Sequence, residues 1–459
     1  MKIPEKLLQK YNVPVPRYTS YPPANHFTED FNSEDQERLI IGSNSQEPEH
    51  IAFYIHIPFC RKICYYCGCN ACRLGKGDLL EPYMEALKKE IKRVSGYLDK
   101  NRHVSQIHYG GGTPNSIPSN YIKEINDLLF SLFRVKSNAE IAIECHPAYL
   151  DEDYINELSE SGFNRYSLGI QDLNGEVLKN VNREAPAIPV DQLIELIKGT
   201  GKNASVNLDF IYGLPGQTVE SYTETIEKAI ELKPDRLVTF SYAHVPWLKK
   251  HQQILEKRGL PGADEKMAIF LAAYKALKES GYKPIGFDHF VLPDDELYLA
   301  LNSNMLHRNF QGYCTRSTTG QVYAFGASSI SQLSGGYIQN VKEADEYINR
   351  INDGRLAGFK GLILSQDQKV VREAITDLMC NKRLNWAETA SRAGISPGRL
   401  KNTLSADHRQ LNEFQSDGLV LIRDEGVTLT EKGSLFIRNI AAALDPAFHA
   451  KEKKYSKSV

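Results

Sequence analysis

No apolar run in this chain of 459 residues approaches the roughly 18–20 residues that a bilayer crossing needs. The N-terminus, MKIPEKLLQKYN, also lacks an apolar signal core. These absences argue against a helical membrane protein or a secreted one, and predict a cytoplasmic location with no membrane partner. An excess of one charge is missing too, since 55 Lys and Arg stand against 57 Asp and Glu, a net of −2. Such a balance argues against a surface built for nucleic acid or acidic lipid, and leaves room only for a local basic pocket. Tryptophan is scarce, at 2 residues, and there are no short-period repeats or low-complexity segments. An apolar share of 41% and a charged share of 24% describe an ordinary globular chain with a large core. Its length suits about three domains, or one large α/β barrel with appendages.

Cysteine is the exception. Of the eight, Cys60, Cys64, Cys67, Cys69 and Cys72 fall within one short segment, whereas Cys145, Cys314 and Cys380 are scattered. A disulfide framework spreads its cysteines to staple distant loops, so this crowding points to metal or redox chemistry. In HIPFCRKICYYCGCNAC the first three follow a C-x3-C-x2-C spacing directly after an apolar strand. Thiolates are soft anionic ligands for zinc or iron–sulfur clusters, and close spacing lets one loop wrap a compact cluster. Structural zinc usually takes two Cys/His pairs with a longer spacer, so the iron–sulfur reading leads and zinc stays as the alternative. If only three cysteines hold a four-iron cluster, one iron keeps an open position, and an open position is a reaction site. Spacing does not decide which three bind iron.

From about residue 51 the chain alternates short β-rich runs with longer helical patterns. The spacing predicts strands at Ile51–Ile57, Ser105–Tyr109, Ile141–Glu144, Arg165–Ile170, Ser205–Tyr212 and Arg236–Ala243, with a shorter one at Pro284–Phe287. Between them, sets such as Met84, Leu87, Ile91 and Val94, or Tyr222, Ile226, Ala229 and Ile230, recur at helical period. Asp151 is placed to cap a helix that Gly162 stops. Repeated β-then-α predicts parallel strands with crossover helices, as a doubly wound sheet or a full or partial barrel. Barrel enzymes put their chemistry at the C-terminal ends of the strands. Here that rim would carry the cysteine loop after strand one and Gly110-Gly111-Gly112-Thr113-Pro114 after strand two. Glu144 would end strand three, Gln171 follow strand four, Asp209 lie within strand five and Ala243 end strand six. Three glycines let backbone approach a ligand closely and offer N–H groups to a carboxylate. Cys145 and His146, adjacent on a strand end, face opposite ways and do not read as a catalytic dyad.

Residues 1–50 contain PVPRYTSYPP, too rich in Pro and Tyr for a helix, and read as a loop packed over the main body. Beyond about 360, helices are followed by a hairpin, Val420–Arg423 and Val427–Leu429 around Asp424-Glu425-Gly426, in a winged-helix-like order. Residues 361–440 hold 11 Lys and Arg against 10 Asp and Glu, too even a balance for a phosphate-binding footprint. The expected organisation is a covering extension over 1–50, a barrel over 51–300 and a connecting, pocket-forming segment over 301–360. A helical domain with a hairpin over 361–445 and a basic tail over 446–459 complete it.

The motifs converge on a resemblance. The C-x3-C-x2-C loop followed by GGGTP resembles the radical S-adenosylmethionine (SAM) enzymes, whose fold is a partial (β/α)6 barrel. PRYTSYP (16–22), HIPFC (56–60), CGC (67–69), Gln171-Asp172 with Asn182-Arg183-Glu184, DFIYGLPGQT (209–218), GFDHF (286–290) and HRNFQGY (307–313) narrow it. Together they resemble the oxygen-independent coproporphyrinogen III oxidase (dehydrogenase) family across nearly the whole chain. The resemblance implies an α/β, partial (β/α)6 TIM-type barrel with an N-terminal extension and a mostly helical, winged-helix-like C-terminal domain.

It also implies a 4Fe-4S cluster on Cys60, Cys64 and Cys67, with Cys69 relaying an electron or hydrogen atom or binding substrate. One SAM is expected at Tyr54, Gly111, Glu144 and Ile330, and a second at Tyr66, Gly112, Thr113, Gln171, Arg183, Asp209 and Ala243. Taken alone, Gln171, Arg183 and Asp209 read equally well as packing polar groups, and GQVYAFGASSIS around Ile330 departs from the family's Leu/Gly-rich form. The implied reaction takes a hydrogen, an electron and CO2 from each of two propionates of coproporphyrinogen III, giving protoporphyrinogen IX. A flexible macrocycle with four propionates needs apolar walls and a few cations. Arg17 and Gln311 lead as candidates, with Tyr18, His307 and Arg308 beside them. The implied partners are this tetrapyrrole and a one-electron reductant such as flavodoxin or ferredoxin, with the enzyme a monomer. The alternatives are a radical SAM methyltransferase acting on a tetrapyrrole and a haem-binding chaperone on the same scaffold. The chaperone typically lacks both the cysteine at position 69 and PRYTSYP.

Overall fold

The computed structural model describes residues 4–448 except 76, 202, 287 and 405–407. Phe287 of GFDHF and all but the first three residues of the expected tail lie outside the described residues.

Six parallel strands run through one sheet in chain order: β1 (Ile51–Ile57), β2 (His103–Gly111), β3 (Arg134–Cys145), β4 (Arg165–Gln171), β5 (Ser205–Tyr212) and β6 (Arg236–Ser241). Parallel neighbours need long crossovers. Helices Leu80–Ser95, Ser119–Leu132, Glu152–Glu160, Val190–Gly199 and Val219–Glu231 lie between them in sequence. The first buries Met84, Leu87, Ile91 and Val94, as their spacing predicts. Asp151 accepts a 2.8 Å hydrogen bond from Tyr154 N at the start of the third, and Gly162, with φ +100°, follows its end.

The sheet stays open. Beyond β1 it continues into Gln321–Phe325, Ile330–Leu333, Gly336–Asn340 and Gly358–Ile363, and beyond β6 into His289–Val291 and Lys283–Ile285. This is the partial (β/α)6 barrel. The last predicted strand, Pro284–Phe287, is instead two antiparallel strands, because Gly286, with φ +60°, turns the chain. The sixth strand ends at Ser241, so Ala243 lies beyond it.

The two faces of the barrel strands differ. Outward residues such as Ile107, Tyr109, Ile141, Ile143, Tyr166, Leu168, Val206 and Leu208 are buried in the main apolar core. The lumen face carries Gln106 and His108, Glu140, Ala142 and Glu144, Arg165, Ser167 and Gly169, then Asn207 and Asp209. A typical (β/α) barrel fills its lumen with branched apolar side chains. Here small and polar ones leave a cavity of about 470 Å³. A hairpin, Leu306–Asn309 with Gly312–Thr315, supplies one wall of it through Arg308 to Cys314.

Residues before 51 are not a bare loop. Glu5–Tyr11 and Ser33–Gly42 are helical, the second started by a reciprocal Asn32–Asp35 capping box that Pro- and Tyr-based reasoning overlooked. PVPRYTSYPP itself forms no helix. Its Val15, Tyr18 and Tyr21 join the separate core of the C-terminal region, built on residues such as Leu378, Phe414 and Phe436. That region has the expected winged-helix-like order, helices followed by the hairpin Val420–Arg423 and Gly426–Leu429.

Candidate active site

After β1 the chain makes a two-residue parallel bridge, Phe59 beside Cys72 and Cys60 beside Arg73. Cys72 N donates to Pro58 O at 2.8 Å and Leu74 N to Cys60 O at 2.8 Å, closing the neck of the cysteine loop. Cys60, Cys64, Cys67 and Cys69 all line the lumen cavity, while Cys72 packs against the apolar core. All eight cysteines are free of disulfides.

The glycine turn after β2 is locked onto this loop. Gly112 N donates to Ile57 O at 2.8 Å and Thr113 N to Phe59 O at 2.9 Å, and Thr113 Oγ1 lies 3.3 Å from Cys60 Sγ. A Cβ on Gly112 would stand 2.7 Å from the carbonyl of Pro58. The N–H groups of Gly112 and Thr113 are therefore committed to the cysteine loop and are not the open donors the motif suggests. What glycine provides here is contact between two backbones.

Around the cavity, Glu144 Oε1 meets His108 Nε2 at 3.1 Å. Arg183 Nη1 donates to Tyr66 Oη at 3.0 Å and lies 3.6 Å from Cys64 Sγ, while Nη2 bonds Gly169 O. Arg183 Nε and Gln171 Oε1 are buried without a hydrogen-bond partner. Asp209 accepts from Ser167 Oγ at 2.6 Å and Asn207 Nδ2 at 2.8 Å, and burial pushes its carboxyl up to about 6. Gln311 and Arg308 stand in the hairpin wall.

Three expected SAM residues are not in the cavity wall. Tyr54 stands just behind it, its hydroxyl 3.1 Å from His56 Nδ1 and its ring stacked 5.9 Å from His108. Ala243 follows β6, and Ile330 packs toward Phe27 and Tyr337. Arg17 is absent from the wall as well, though Arg308 and Asp288 are its electrostatic neighbours. His307 turns to a second cavity of about 550 Å³, which Arg308 and Tyr18 also border.

Sequence reasoning missed the lumen floor. Arg165 pairs with Glu140, and Arg236 with Asp295 at 2.7 Å and Glu296 at 2.9 Å. Burial opposes the charge on Glu140, yet Arg165 and Arg236 hold it well below the usual carboxylate range. The signal was available as polar residues two apart inside apolar strands: Gln106 and His108, Asn207 and Asp209.

These residues fit an iron–sulfur cluster with SAM beside it. Four soft thiols share one wall, a guanidinium stands within reach of Cys64 to offset thiolate charge, and two buried polar atoms await partners. Among the described residues, no three His, Cys, Asp or Glu side chains gather closely enough for a single metal ion.

Two family models match the chain: the radical SAM superfamily over residues 54–229 and the HemN C-terminal domain over 364–436. Oxygen-independent coproporphyrinogen III oxidase of Synechocystis sp. is 39% identical over 98% of this chain and 96% of its own length. That of Escherichia coli is 38% identical over 97% and 96%. The chain belongs to the oxygen-independent coproporphyrinogen III oxidase family. The solved coproporphyrinogen III oxidase (HemN) of Escherichia coli, described as a radical SAM enzyme, matches at a TM-score of 0.88 and 37% identity, covering 96% of this chain and 99% of that one. As a member of this oxidase family, the enzyme uses a 4Fe-4S cluster and SAM. Among the described residues no helix is long and apolar enough to cross a membrane.

Proposed function

We infer that this enzyme converts two propionate side chains of coproporphyrinogen III to vinyl groups, giving protoporphyrinogen IX in haem biosynthesis. Each conversion removes one hydrogen atom, one electron and CO2. The carrying observation is that one cavity brings the cysteine loop, the GGGTP turn and the HRNFQGY hairpin face to face, in a chain alike to these oxidases over nearly its full length. Bound there, the cluster and SAM supply a hydrogen-abstracting radical at the cost of one electron.

In this reading Cys60, Cys64 and Cys67 hold the cluster, and Arg183 beside Cys64 steadies its charge. Tyr54, Gly111, Glu144 and Ile330 serve one SAM, with Glu144 aimed by His108. Tyr66, Gly112, Thr113, Gln171, Arg183, Asp209 and Ala243 serve a second. Support is strongest for Arg183 and Gln171, whose buried, unpartnered atoms face this cavity's wall. Ala243 and Ile330 rest on the family pattern alone. Cys69, exposed beside three buried or half-buried thiols, is the functional thiol. Arg17 and Gln311 bind substrate carboxylates, with Arg308, which borders both cavities, as the second cation. The polar lumen shields a reactive centre from bulk water while keeping its substrates oriented. The same reading makes the enzyme a cytoplasmic monomer fed by a one-electron reductant such as flavodoxin or ferredoxin.

Anaerobic turnover with coproporphyrinogen III, SAM and a reduced donor tests it. Two successive losses of CO2 are expected, whereas a methylated tetrapyrrole would install the methyltransferase alternative.

A further inference from the structure

The segment after β6 carries the two most exposed large apolar side chains among the described residues. Trp247 is 67% exposed and its neighbour Leu248 72%. Scattered surface leucines are ordinary, but an adjacent Trp and Leu in solvent is a costly arrangement in a chain with only two tryptophans. Tryptophan is also the residue most enriched at the energetic centre of protein interfaces.

The residues just after Trp247 and Leu248 hold the cysteine loop. Lys249 Nζ donates to Cys69 O at 2.7 Å, His251 Nε2 to Cys67 O at 2.9 Å and Gln252 Nε2 to Tyr66 O at 2.9 Å. Three donors within four residues thus grip the backbone of the loop from outside, and Trp247 and Leu248 lie at the solvent end of that grip. From residue 249 to 258 the chain has Lys249, Lys250, Lys257 and Arg258, with Glu256 as the only acid. Glu256 is occupied by His244 at 2.7 Å. Lys249 and Arg258 are engaged by Cys69 O and Asn180 O, so the exposed cations that follow Trp247 and Leu248 are Lys250 and Lys257, in a protein whose overall charge is slightly negative.

We propose that Trp247, Leu248 and Lys250 form the docking surface for a small acidic protein that delivers single electrons to the site. The proposal rests on the reading that the cluster sits on the cysteine loop. Each encounter oxidises the carrier by one electron and reduces the cluster by one, with no bond made or broken. Electron transfer falls steeply with distance, and this surface is the outer side of the loop that holds the thiols. The apolar pair sets the residence of the carrier and the lysines its rate of encounter, so the association weakens as salt screens them.

The test uses the full chain with its cluster and a bacterial flavodoxin. Trp386→Phe leaves Trp247 as the only indole, so its emission reports binding of oxidised flavodoxin directly. Binding should quench it, with an affinity that falls as salt rises. Trp247→Ala with Leu248→Ser, and separately Lys250→Glu, should each slow bleaching of the cluster absorbance by reduced flavodoxin at least tenfold. Bleaching by dithionite, a small reductant that needs no docking, should keep its wild-type rate. An unchanged flavodoxin rate in Lys250→Glu, equal slowing by both reductants in both variants, or an effect confined to tetrapyrrole KM or to self-association would overturn the proposal. No arm contains a tetrapyrrole when reduction is measured, so the docking surface and the assignment of substrate fail independently.

Discussion

Tyr18 donates a 2.9 Å hydrogen bond to Asp445, a residue 427 positions away. The other oxygen of the same buried carboxylate accepts from Tyr21 at 2.9 Å, and Arg438 Nε donates to Pro16 O at 3.0 Å. The PRYTSYP segment is thus fastened at both ends by the last part of the chain, and Arg17 sits between the fasteners. Asp445→Ala removes the shared acceptor of both hydroxyls, at about 1–3 kcal/mol for each buried bond lost. We expect Tm to fall and the KM for the tetrapyrrole to rise well beyond that for SAM, because the strap carries Arg17 and not the SAM contacts. Asp445→Asn keeps one acceptor and should be milder. An equal rise in both KM values would detach the strap from substrate recognition.

The cysteines give a sharper separation. Cys60→Ala, Cys64→Ala and Cys67→Ala should each lose the visible charge-transfer absorption of the cluster and, with it, SAM cleavage. Cys69→Ser should keep both and lose CO2 release. Cys72→Ser should keep all three, since Cys72, unlike the other four, is not in the cavity wall and joins the neck of the loop through its backbone. Anaerobic spectra and product analysis of the five variants decide which three thiols bind iron.

The sequence was most legible where a local pattern has one geometric outcome. β1 and β5 have the very bounds that their apolar runs predict, and Asp151 caps its helix, because strand period and capping chemistry are local. The cysteine loop was legible as chemistry, since few environments tolerate so many adjacent thiols. What stayed hidden depends on approach between distant segments. The engaged N–H groups of Gly112 and Thr113 needed the position of Ile57 and Phe59, and the role of Cys72 needed its pairing with Phe59. Arg165 and Arg236 carry no motif at all, and their pairing with Glu140, Asp295 and Glu296 exists only once β3, β4 and β6 are assembled in one sheet.

Close approach makes a prediction at Gly112. A methyl there would sit 2.7 Å from backbone atoms of Pro58, which cannot swing aside as a side chain can. Gly112→Ala should therefore cost about 1–3 kcal/mol as overpacking does, and separate the glycine turn from the cysteine loop. Cluster content after anaerobic reconstitution should drop along with Tm. Gly175→Ala is the matched control, at a helix start where nothing lies within 4 Å of the added carbon. It should bind its full cluster and gain a few tenths of a kcal/mol, roughly as a Gly→Ala change at a permissive site does.

Glu90 governs the turn that leads into Ile330. Its carboxyl accepts from Gly326 N at 2.8 Å, Tyr347 Oη at 2.7 Å and Asn340 Nδ2 at 2.8 Å, while Tyr83 Oη joins Ala327 N and His56 O. Burial pushes Glu90 up to about 7 from an ordinary 4.5, against the pull of those donors and the more distant charge of Arg93. Below pH 4.5 the group is protonated whether the chain is folded or not, and its folded-state preference for the proton is fully available. Between 4.5 and about 7 only the unfolded chain releases that proton, so stability falls as pH rises through this window, and above it the loss is complete. The shift corresponds to about 3 kcal/mol. In Glu90→Gln the group no longer titrates, so the stability difference between wild type and variant should move by most of that amount between pH 5 and pH 8 in urea unfolding under argon. The amide also places an N–H against existing donors, loosening the Gly326–Ser329 turn, and SAM should bind more weakly in the variant at every pH. A wild-type slope that survives the substitution would assign the titration to another group.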